Sequence, residues 1–213
     1  LMQRNALLRK MKETGRESPD EREMLELWNH TMAAAGARVT VARSLYIEKL
    51  QPLAAEIYAG LSGGREQLTM RWKSPAYAPG ATPAEVAARW LTALQAAQRA
   101  DRGAGFSTAG PHREDLELFL NGTEVRTYGS QGQQRSVVLA LKLAEATLLQ
   151  EVTGEAPVAF LDDVMSELDV SRQEYILNHI DGWQVFITGC EPSAALRMTA
   201  GKVFHIQQGV LSE

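Results

Sequence analysis

One stretch, from Ser130 to Asp169, constrains the fold more than any other part of the chain. It opens with Ser130, Gly132 and Gln133, directly before an apolar run of strong helix formers at residues 137–144. A serine in that place predicts the N-cap of a largely buried helix. The first turn of a helix leaves backbone N–H groups unpaired and carries the positive end of the helix dipole, and a glycine there lets another group approach closely. The pattern therefore predicts an anion site, and phosphate is the usual anion.

A short apolar strand follows this helix and ends in two adjacent carboxylates. Residues 158–161 are Val-Ala-Phe-Leu, bounded by Pro157 on one side and by Asp162 and Asp163 on the other. A continuously apolar run of this length is typical of a fully buried parallel strand, and open α/β sheets bind ligands at the carboxyl ends of such strands. We therefore expect Asp162 to hold Mg²⁺, directly or through water, and Asp163 to activate a water molecule.

The rest of the C-terminal part predicts a crossover to a second strand. Residues 165–169 indicate a loop, residues 171–177 a short helix, and residues 184–188 a strand at a normal crossover distance. Upstream, Asn121-Gly122 follows the apolar run 116–120, which predicts a hairpin with residues 124–126 as the returning strand.

The first hundred residues indicate mainly helices. Patterns of helical spacing run over about 2–12, 20–35, 38–59 and 83–101. Asp20 and Thr82 are predicted caps, and Pro52 predicts a kink or boundary within the third segment. The apolar residues at helical spacing are interpreted as a helical core: Leu25, Trp28, Leu45, Leu50, Ile57, Trp90 and Leu94.

Composition limits the class of protein. The 213 residues are 45% apolar and 23% charged, which is ordinary for a globular protein, and no stretch of about eighteen apolar residues occurs. A net charge of −4 argues against a globally basic nucleic-acid binder, without excluding a local basic patch. A single cysteine, Cys190, has no partner for an internal disulfide, which agrees with a reducing cytoplasm, and we interpret it as a small buried hydrophobe.

Several of these motifs, taken in order, carry a family resemblance. They are Ser-Gln-Gly-Gln-Gln-Arg at 130–135, Phe-Leu-Asp-Asp at 160–163, Ser-Glu-Leu-Asp at 166–169 and Gln-Val-Phe-Ile-Thr at 184–188. This order resembles the C-terminal half of the RecF family of bacterial recombination mediators, as do residues 110–116 and 120–122. RecF proteins are ABC-type ATPases, like Rad50 and the heads of structural-maintenance-of-chromosomes proteins.

The resemblance implies roles for particular residues. Ser130, Gly132 and Gln133 match the signature loop, which in the family contacts the γ-phosphate of ATP held by the opposite subunit. Asp162 ends the stretch that matches the Walker B strand, and Asp163 stands at the catalytic-acid position. Residues 166–169 match the loop that crosses the dimer interface, so Asp169 is expected at the nucleotide as well.

Three departures qualify these roles. Asp163 stands where most ABC ATPases carry Glu, and Thr188 where many transporters carry a switch His, so slow hydrolysis is expected. No Gly-x-x-x-x-Gly-Lys-Ser/Thr loop occurs, and Gly201-Lys202 is followed by valine. We expect the Walker A half to lie outside this chain, which alone is then expected to bind ATP weakly and to be inactive. Residues 61–64, Leu-Ser-Gly-Gly, spell a transporter signature, but the strand-like residues that follow indicate a turn.

The fold expected from the resemblance is α/β, with a helical lobe and the C-terminal part of a P-loop ATPase core. Residues 1–154 are assigned to the helical lobe, hairpin and signature helix, and residues 155–213 to the ATPase core. The implied function is ATP-dependent DNA binding in recombinational repair and replication, with Mg-ATP as cofactor and an ATP-dependent homodimer. The implied partners are double-stranded DNA near single-strand gaps, with RecR and RecO in loading RecA.

Two other interpretations of the same motifs stay open. The first is a non-catalytic scaffold that uses an ATPase-like lobe for dimerisation or partner binding. The second is a different head of the superfamily, such as RecN or an overcoming-lysogenization nuclease. Long coiled-coil heptads would favour RecN and an acidic cluster in an appended domain the nuclease, and the sequence has neither.

Overall fold

The computed structural model describes residues 1–190 and 201–212 and has the mixed α/β fold that the sequence predicts. The helices are α1 (Met2–Thr14), α2 (Pro19–Ser62), α3 (Pro83–Ala104), α4 (Val125–Tyr128), α5 (Gln131–Thr153) and α6 (Val170–His179). The strands are β1 (Leu68–Lys73), β2 (Asp115–Leu120), β3 (Thr123–Glu124), β4 (Val158–Asp162), β5 (Gln184–Thr188), β6 (His205–Gln207) and β7 (Val210–Ser212). Short 3₁₀ turns occupy Pro111–Arg113 and Met165–Glu167.

Helix α2 is a single helix of 44 residues, so the prediction of separate segments over about 20–35 and 38–59 was wrong, and the helix has no boundary at Pro52. Its N-cap is Ser18, which forms a capping box with Glu21, and not Asp20. The helix continues through Gly36 because Pro111 packs closely against it there and leaves little room for a side chain. A Cβ at Gly36 would lie 3.1 Å from Pro111 Cγ. Pro52 is exposed, and the buried residues on either side of it keep the helix on the core.

Helix α3 begins as predicted, with Thr82 as N-cap and Pro83 in the first turn. It packs against the N-terminal half of α2 around Trp90, whose Nε1 donates to Thr40 Oγ1 at 2.9 Å. Most of the predicted helical core is buried. Leu45 is an exception, with 55% of its surface exposed, and Trp28 is half-buried, because both lie on the outer side of α2.

The second and larger core cluster joins the C-terminal half of α2 to α5, α6 and the neighbouring strands. Its members include Ile57, Tyr58, Val137, Leu161 and Ile176. This cluster has members on both sides of residue 154, and the domain boundary proposed there stays a prediction. Inside residues 1–190 and 201–212, no helix is both long enough and apolar enough to cross a membrane.

Strands β1, β2 and β3 form an antiparallel sheet, with the tight turn at Asn121 and Gly122 that the sequence predicts. The returning strand is shorter than predicted, because Val125 begins α4 and is buried in the larger core cluster. Burying this side chain directs the chain away from the hairpin and toward Ser130.

Strands β4 and β5 form a parallel pair in which Asp162 lies opposite Thr188. The prediction of a fully buried strand was wrong for β4: Leu161 is buried, whereas Phe160 is 73% exposed. One side of the pair packs on the core, and the other carries Phe160 stacked on Phe186 at 5.0 Å between ring centroids. Cys190 is also exposed, contrary to prediction, because it lies beyond the packed end of β5.

Gly60 of α2 lies against the Tyr175 ring of α6, and this contact generates a stability prediction. A Cβ at Gly60 would lie 2.0 Å from the Tyr175 ring, whereas one at Gly103 in α3 would meet no atom within 4 Å. We expect Gly60→Ala in a full-length protein that carries this sequence to lower the free energy of unfolding by about 1–3 kcal/mol. Gly103→Ala is the matched control and should raise it by about 0.5 kcal/mol through helix propensity. Urea denaturation measures both, and equal stabilities of the two variants would contradict the packing account.

Candidate nucleotide site

The N-terminus of α5 has the capped geometry that the sequence predicts. Ser130 Oγ accepts a hydrogen bond from the backbone N–H of Gln133 at 3.2 Å, and Gln133 Oε1 accepts one from the backbone N–H of Ser130 at 2.8 Å. The first turn of α5 contains no acidic residue. A Cβ at Gly132 would meet no atom within 4 Å, so this turn faces open space. Exposed N–H groups at the positive end of a 23-residue helix fit an anion.

Two further contacts hold the start of α5, the predicted signature loop, in place. Gln134 Nε2 donates to the carbonyl oxygens of Gly129 at 3.1 Å and Val125 at 3.3 Å, which ties the end of α4 to the start of α5. Gln133 Nε2 donates to Glu66 Oε1 at 2.6 Å. Sequence reasoning missed Glu66, because it precedes Gln133 by 67 positions and no local pattern marks it.

The two carboxylates at the end of β4 are held by the neighbouring strand. Thr188 donates from its hydroxyl to Asp162 Oδ1, and the same hydroxyl oxygen accepts from the backbone N–H of Asp163 at 3.1 Å. Asp163 has a φ of 53°, in the left-handed region, and its Oδ1 accepts from the Ser166 hydroxyl at 2.8 Å. Both carboxylates are exposed. The register of a parallel pair therefore gives Thr188 a structural role that its position in the sequence did not reveal.

The fit of this site to Mg²⁺ depends on Asp162. In the described part of the chain, no group of three or more His, Cys, Asp or Glu side chains is arranged to hold a metal ion by itself. Mg²⁺ commonly binds through one or two carboxylates and completes its octahedron with water and substrate phosphate oxygens. An exposed carboxylate at the end of a parallel strand fits that mode, so Asp162 is a suitable single protein ligand.

The predicted interface loop is anchored to both neighbouring helices. Asp169 caps α6 by accepting from the backbone N–H of Arg172 at 3.0 Å. Arg172 Nε donates to the carbonyl oxygen of Leu61 at 3.1 Å, at the end of α2. Glu167 pairs with Arg135, in the second turn of α5, at 2.6 Å. The loop is therefore exposed but fixed between α2, α5 and α6.

The predicted site residues fall into two groups. Ser130, Gly132 and Gln133 lie together on α5, while Asp162 and Asp163 lie together at the end of β4. Among the described residues, no hydrogen bond or ion pair joins the first group to the second. The Leu-Ser-Gly-Gly string at 61–64 lies at the carbonyl end of α2, where Gly63 adopts a φ of 63°. Gly63 and Gly64 form a turn, as predicted, whereas Leu61 and Ser62 still belong to α2. The carbonyl end of a helix carries the negative end of its dipole and does not favour an anion.

The contacts of Thr188 generate a test that does not depend on function. Thr188→Val keeps the shape of the side chain and removes the acceptor for the backbone N–H of Asp163. We expect the Asp163 amide to exchange with solvent about fivefold faster, the factor that corresponds to about 1 kcal/mol for one hydrogen bond. Thr188→Ser is the control and should exchange at the wild-type rate. Hydrogen exchange followed by NMR on the full-length protein measures this, and equal rates in all three proteins would contradict the arrangement.

Comparisons with known proteins give the geometry a family context. No family model matches the chain. The DNA replication and repair protein RecF of Rippkaea orientalis (strain PCC 8801 / RF-1) is 40% identical over 220 residues, covering 95% of this chain and 58% of that protein. The RecF protein of Heliobacterium modesticaldum (strain ATCC 51547 / Ice1) is 39% identical, covering 100% of this chain and 57% of that protein.

Two solved structures that the chain resembles are also RecF proteins. A structure of the recombination mediator protein RecF-ATPrS in the RecFOR pathway superposes with a TM-score of 0.82 and 35% identity, covering 99% of this chain and 55% of that one. A structure of RecF-ATP in the same pathway gives 0.81 and 34%, covering 100% and 55%. The chain thus spans little more than half the length of the relatives it matches, and over nearly all of its own length its resemblance to the RecF family is confirmed.

Proposed function

We propose that this chain supplies the signature loop and the Walker B carboxylates of a RecF-type ATPase that acts in DNA replication and repair. The observation that carries the proposal is the exposed, capped N-terminus of α5 in a fold that superposes on RecF-ATP with a TM-score of 0.81. The pair Asp162 and Asp163 at the end of a parallel strand supports it independently.

In the proposed ATPase, the signature loop acts on a nucleotide held by another subunit. Ser130 and Gly132 would present hydroxyl and backbone N–H groups to the γ-phosphate, and the dipole of α5 would favour its negative charge. Gln133 would act beside them, and Asp169, at the start of α6, would lie at the same interface. ATP would then join two subunits, since each completes the other's site.

Asp162 and Asp163 would act on the nucleotide of their own subunit. Mg²⁺ would supply positive charge beside the phosphate, and Asp162 is the carboxylate that would hold it. Asp163 would orient and deprotonate the attacking water. Its Oδ1 lies 2.8 Å from the Ser166 hydroxyl, a contact that would help to orient the carboxylate. An Asp side chain is one methylene shorter than the Glu of most ABC ATPases, which supports slow hydrolysis.

The exposed face of β4 and β5 supports the presence of a further part of the ATPase core. Phe160 and Phe186 stack on each other there, and Val158 is 51% exposed. Parallel strands are normally covered on both faces. We propose that the length found in the relatives but not matched by this chain packs on this face. Residues 1–154 and 155–213 would then belong to a helical lobe and to the ATPase core.

The resemblance to the RecF family also suggests a substrate, partners and a cellular location. The substrate would be double-stranded DNA near single-strand gaps, and the partners RecR and RecO, with RecA as the protein that is loaded. The protein would act in the cytoplasm as an ATP-dependent homodimer.

Ser130→Arg tests the proposal most simply, in a full-length protein that carries this sequence. The guanidinium would fill the space before α5, so we expect ATP-dependent dimerisation to be lost while ATP still binds to the monomer. Light scattering with and without Mg-ATP measures the dimer, and calorimetry measures ATP affinity.

The structure offers a matched control in Ser18→Arg. Ser18 is exposed and caps α2 with the same capping box that Ser130 forms on α5. Both substitutions remove a cap worth about 1 kcal/mol, so their costs in stability should be similar. A Ser18→Arg protein should dimerise normally. An unchanged dimer in Ser130→Arg would refute the proposal and favour a non-catalytic scaffold.

A further inference from the structure

We propose that Glu66 is a positioning residue for the signature loop: it fixes the side-chain amide of Gln133, and through it the cap that Ser130 forms on α5. This inference rests on the proposed function, since the loop matters only if it contacts a nucleotide. Glu66 lies in the turn between α2 and β1, and neither the motifs nor the resemblance assigned it a role.

The hydrogen bonds around Glu66 leave Gln133 a single orientation. Glu66 Oε1 accepts from Gln133 Nε2 at 2.6 Å, so the amide nitrogen points toward Glu66. The amide oxygen then points the other way, where it accepts from the backbone N–H of Ser130 at 2.8 Å. Without the carboxylate, the amide is free to rotate, and the Ser130 end of the capping box loses its acceptor for part of the time.

Glu66 itself is held from the side of α2. Its second oxygen, Oε2, accepts from the Tyr58 hydroxyl at 2.7 Å. Tyr58 is 1% exposed and belongs to the larger core cluster. Burial, followed by its hydrogen bond to Glu66, raises the pKa of the Tyr58 hydroxyl far above its usual range. The tyrosine therefore remains a donor at any pH at which the protein works.

The backbone on both sides of Glu66 is also fixed. The Ser62 hydroxyl, in the last turn of α2, lies within hydrogen-bond distance of two carbonyl oxygens, that of Ala59 at 3.2 Å and that of Glu66 at 3.4 Å. The next residue, Gln67, exchanges two hydrogen bonds with Asn121 in the β2–β3 turn, at 2.9 and 3.0 Å. The carboxylate is thus presented by a rigid turn, as positioning requires.

Both oxygens of the Glu66 carboxylate are engaged by donors of the protein, the Tyr58 hydroxyl and the Gln133 amide. These neutral donors orient the carboxylate without removing its negative charge, and that charge disfavours direct contact with a phosphate. The role of Glu66 is therefore in orienting the loop and not in contacting the nucleotide.

The test is a double-mutant cycle between Glu66→Ala and Gln133→Ala, measured as ATP-dependent dimerisation of the full-length protein. We expect Glu66→Ala to weaken the dimer about tenfold, as expected for the loss of a hydrogen bond to a charged group. The double mutant should be no weaker than Gln133→Ala, because both changes act through one contact. Glu66→Gln should restore most of the dimerisation, since its amide oxygen still accepts from Gln133. The ATP affinity of the monomer should stay unchanged throughout.

Glu48→Ala is the matched control. Glu48 is an exposed residue of α2 and accepts from the Tyr77 hydroxyl at 3.3 Å. Among the described residues, this second Tyr-Glu pair has no hydrogen bond or ion pair to α5. This variant should dimerise as the wild type does.

The outcomes separate this inference from the proposed function. If Ser130→Arg abolishes the dimer but Glu66→Ala leaves it intact, the positioning role is wrong and the function stands. If the effects of Glu66→Ala and Gln133→Ala multiply, Glu66 does not act through Gln133 and the inference is overturned. If Ser130→Arg has no effect, the proposed function and this inference fail together.

Discussion

The last turns of α2 pack against α5 and α6 in the larger core cluster. Ile57 and Tyr58 lie in the core between these helices, and the missing side chain of Gly60 lets the Tyr175 ring approach. The same end of α2 accepts a hydrogen bond from Arg172 and leads directly into the turn that carries Glu66. Both the start of α5 and the loop before α6, the proposed signature and interface loops, are therefore positioned from one helix end.

Hydrogen bonds, and not burial, fix the conformation of the exposed loops. Ser130, Asp163 and Asp169 are all exposed, and each is fixed by hydrogen bonds to backbone or to a neighbouring side chain. Such loops keep their donors and carboxylates available to a ligand while the cost of ordering them is met in folding. The arrangement suits a site that is completed by a second subunit.

Local signals predicted the elements whose ends are set by local chemistry. The capping residues Ser130 and Thr82 and the turn at Asn121 were found in this way, because capping and turn preferences act over a few residues. The parallel pairing of β4 and β5 followed from the apolar runs and the crossover length between them.

Features set by tertiary packing were missed. Helix α2 continues past Gly36 because Pro111 and Trp90 pack against it, and no local pattern encodes that contact. Phe160 is exposed although its strand is continuously apolar. An apolar sequence indicates that a strand can be buried on both faces, but it does not show which part of the protein covers each face. Glu66 and Thr188 act across long separations in sequence, so only the fold reveals their partners.

If the proposed function is correct, the signature loop and the Walker B carboxylates of one chain serve two different nucleotides. Mixing a full-length Ser130→Ala protein, which keeps the space before α5 open for a dimer, with an Asp163→Asn protein tests this by ATP hydrolysis. Each variant alone should lose most of its hydrolysis, whereas a mixed dimer has one site with both residues intact, and the mixture should regain hydrolysis. A mixture as inactive as its components would contradict the proposal, since Ser130 and Asp163 of the same chain would then serve the same nucleotide.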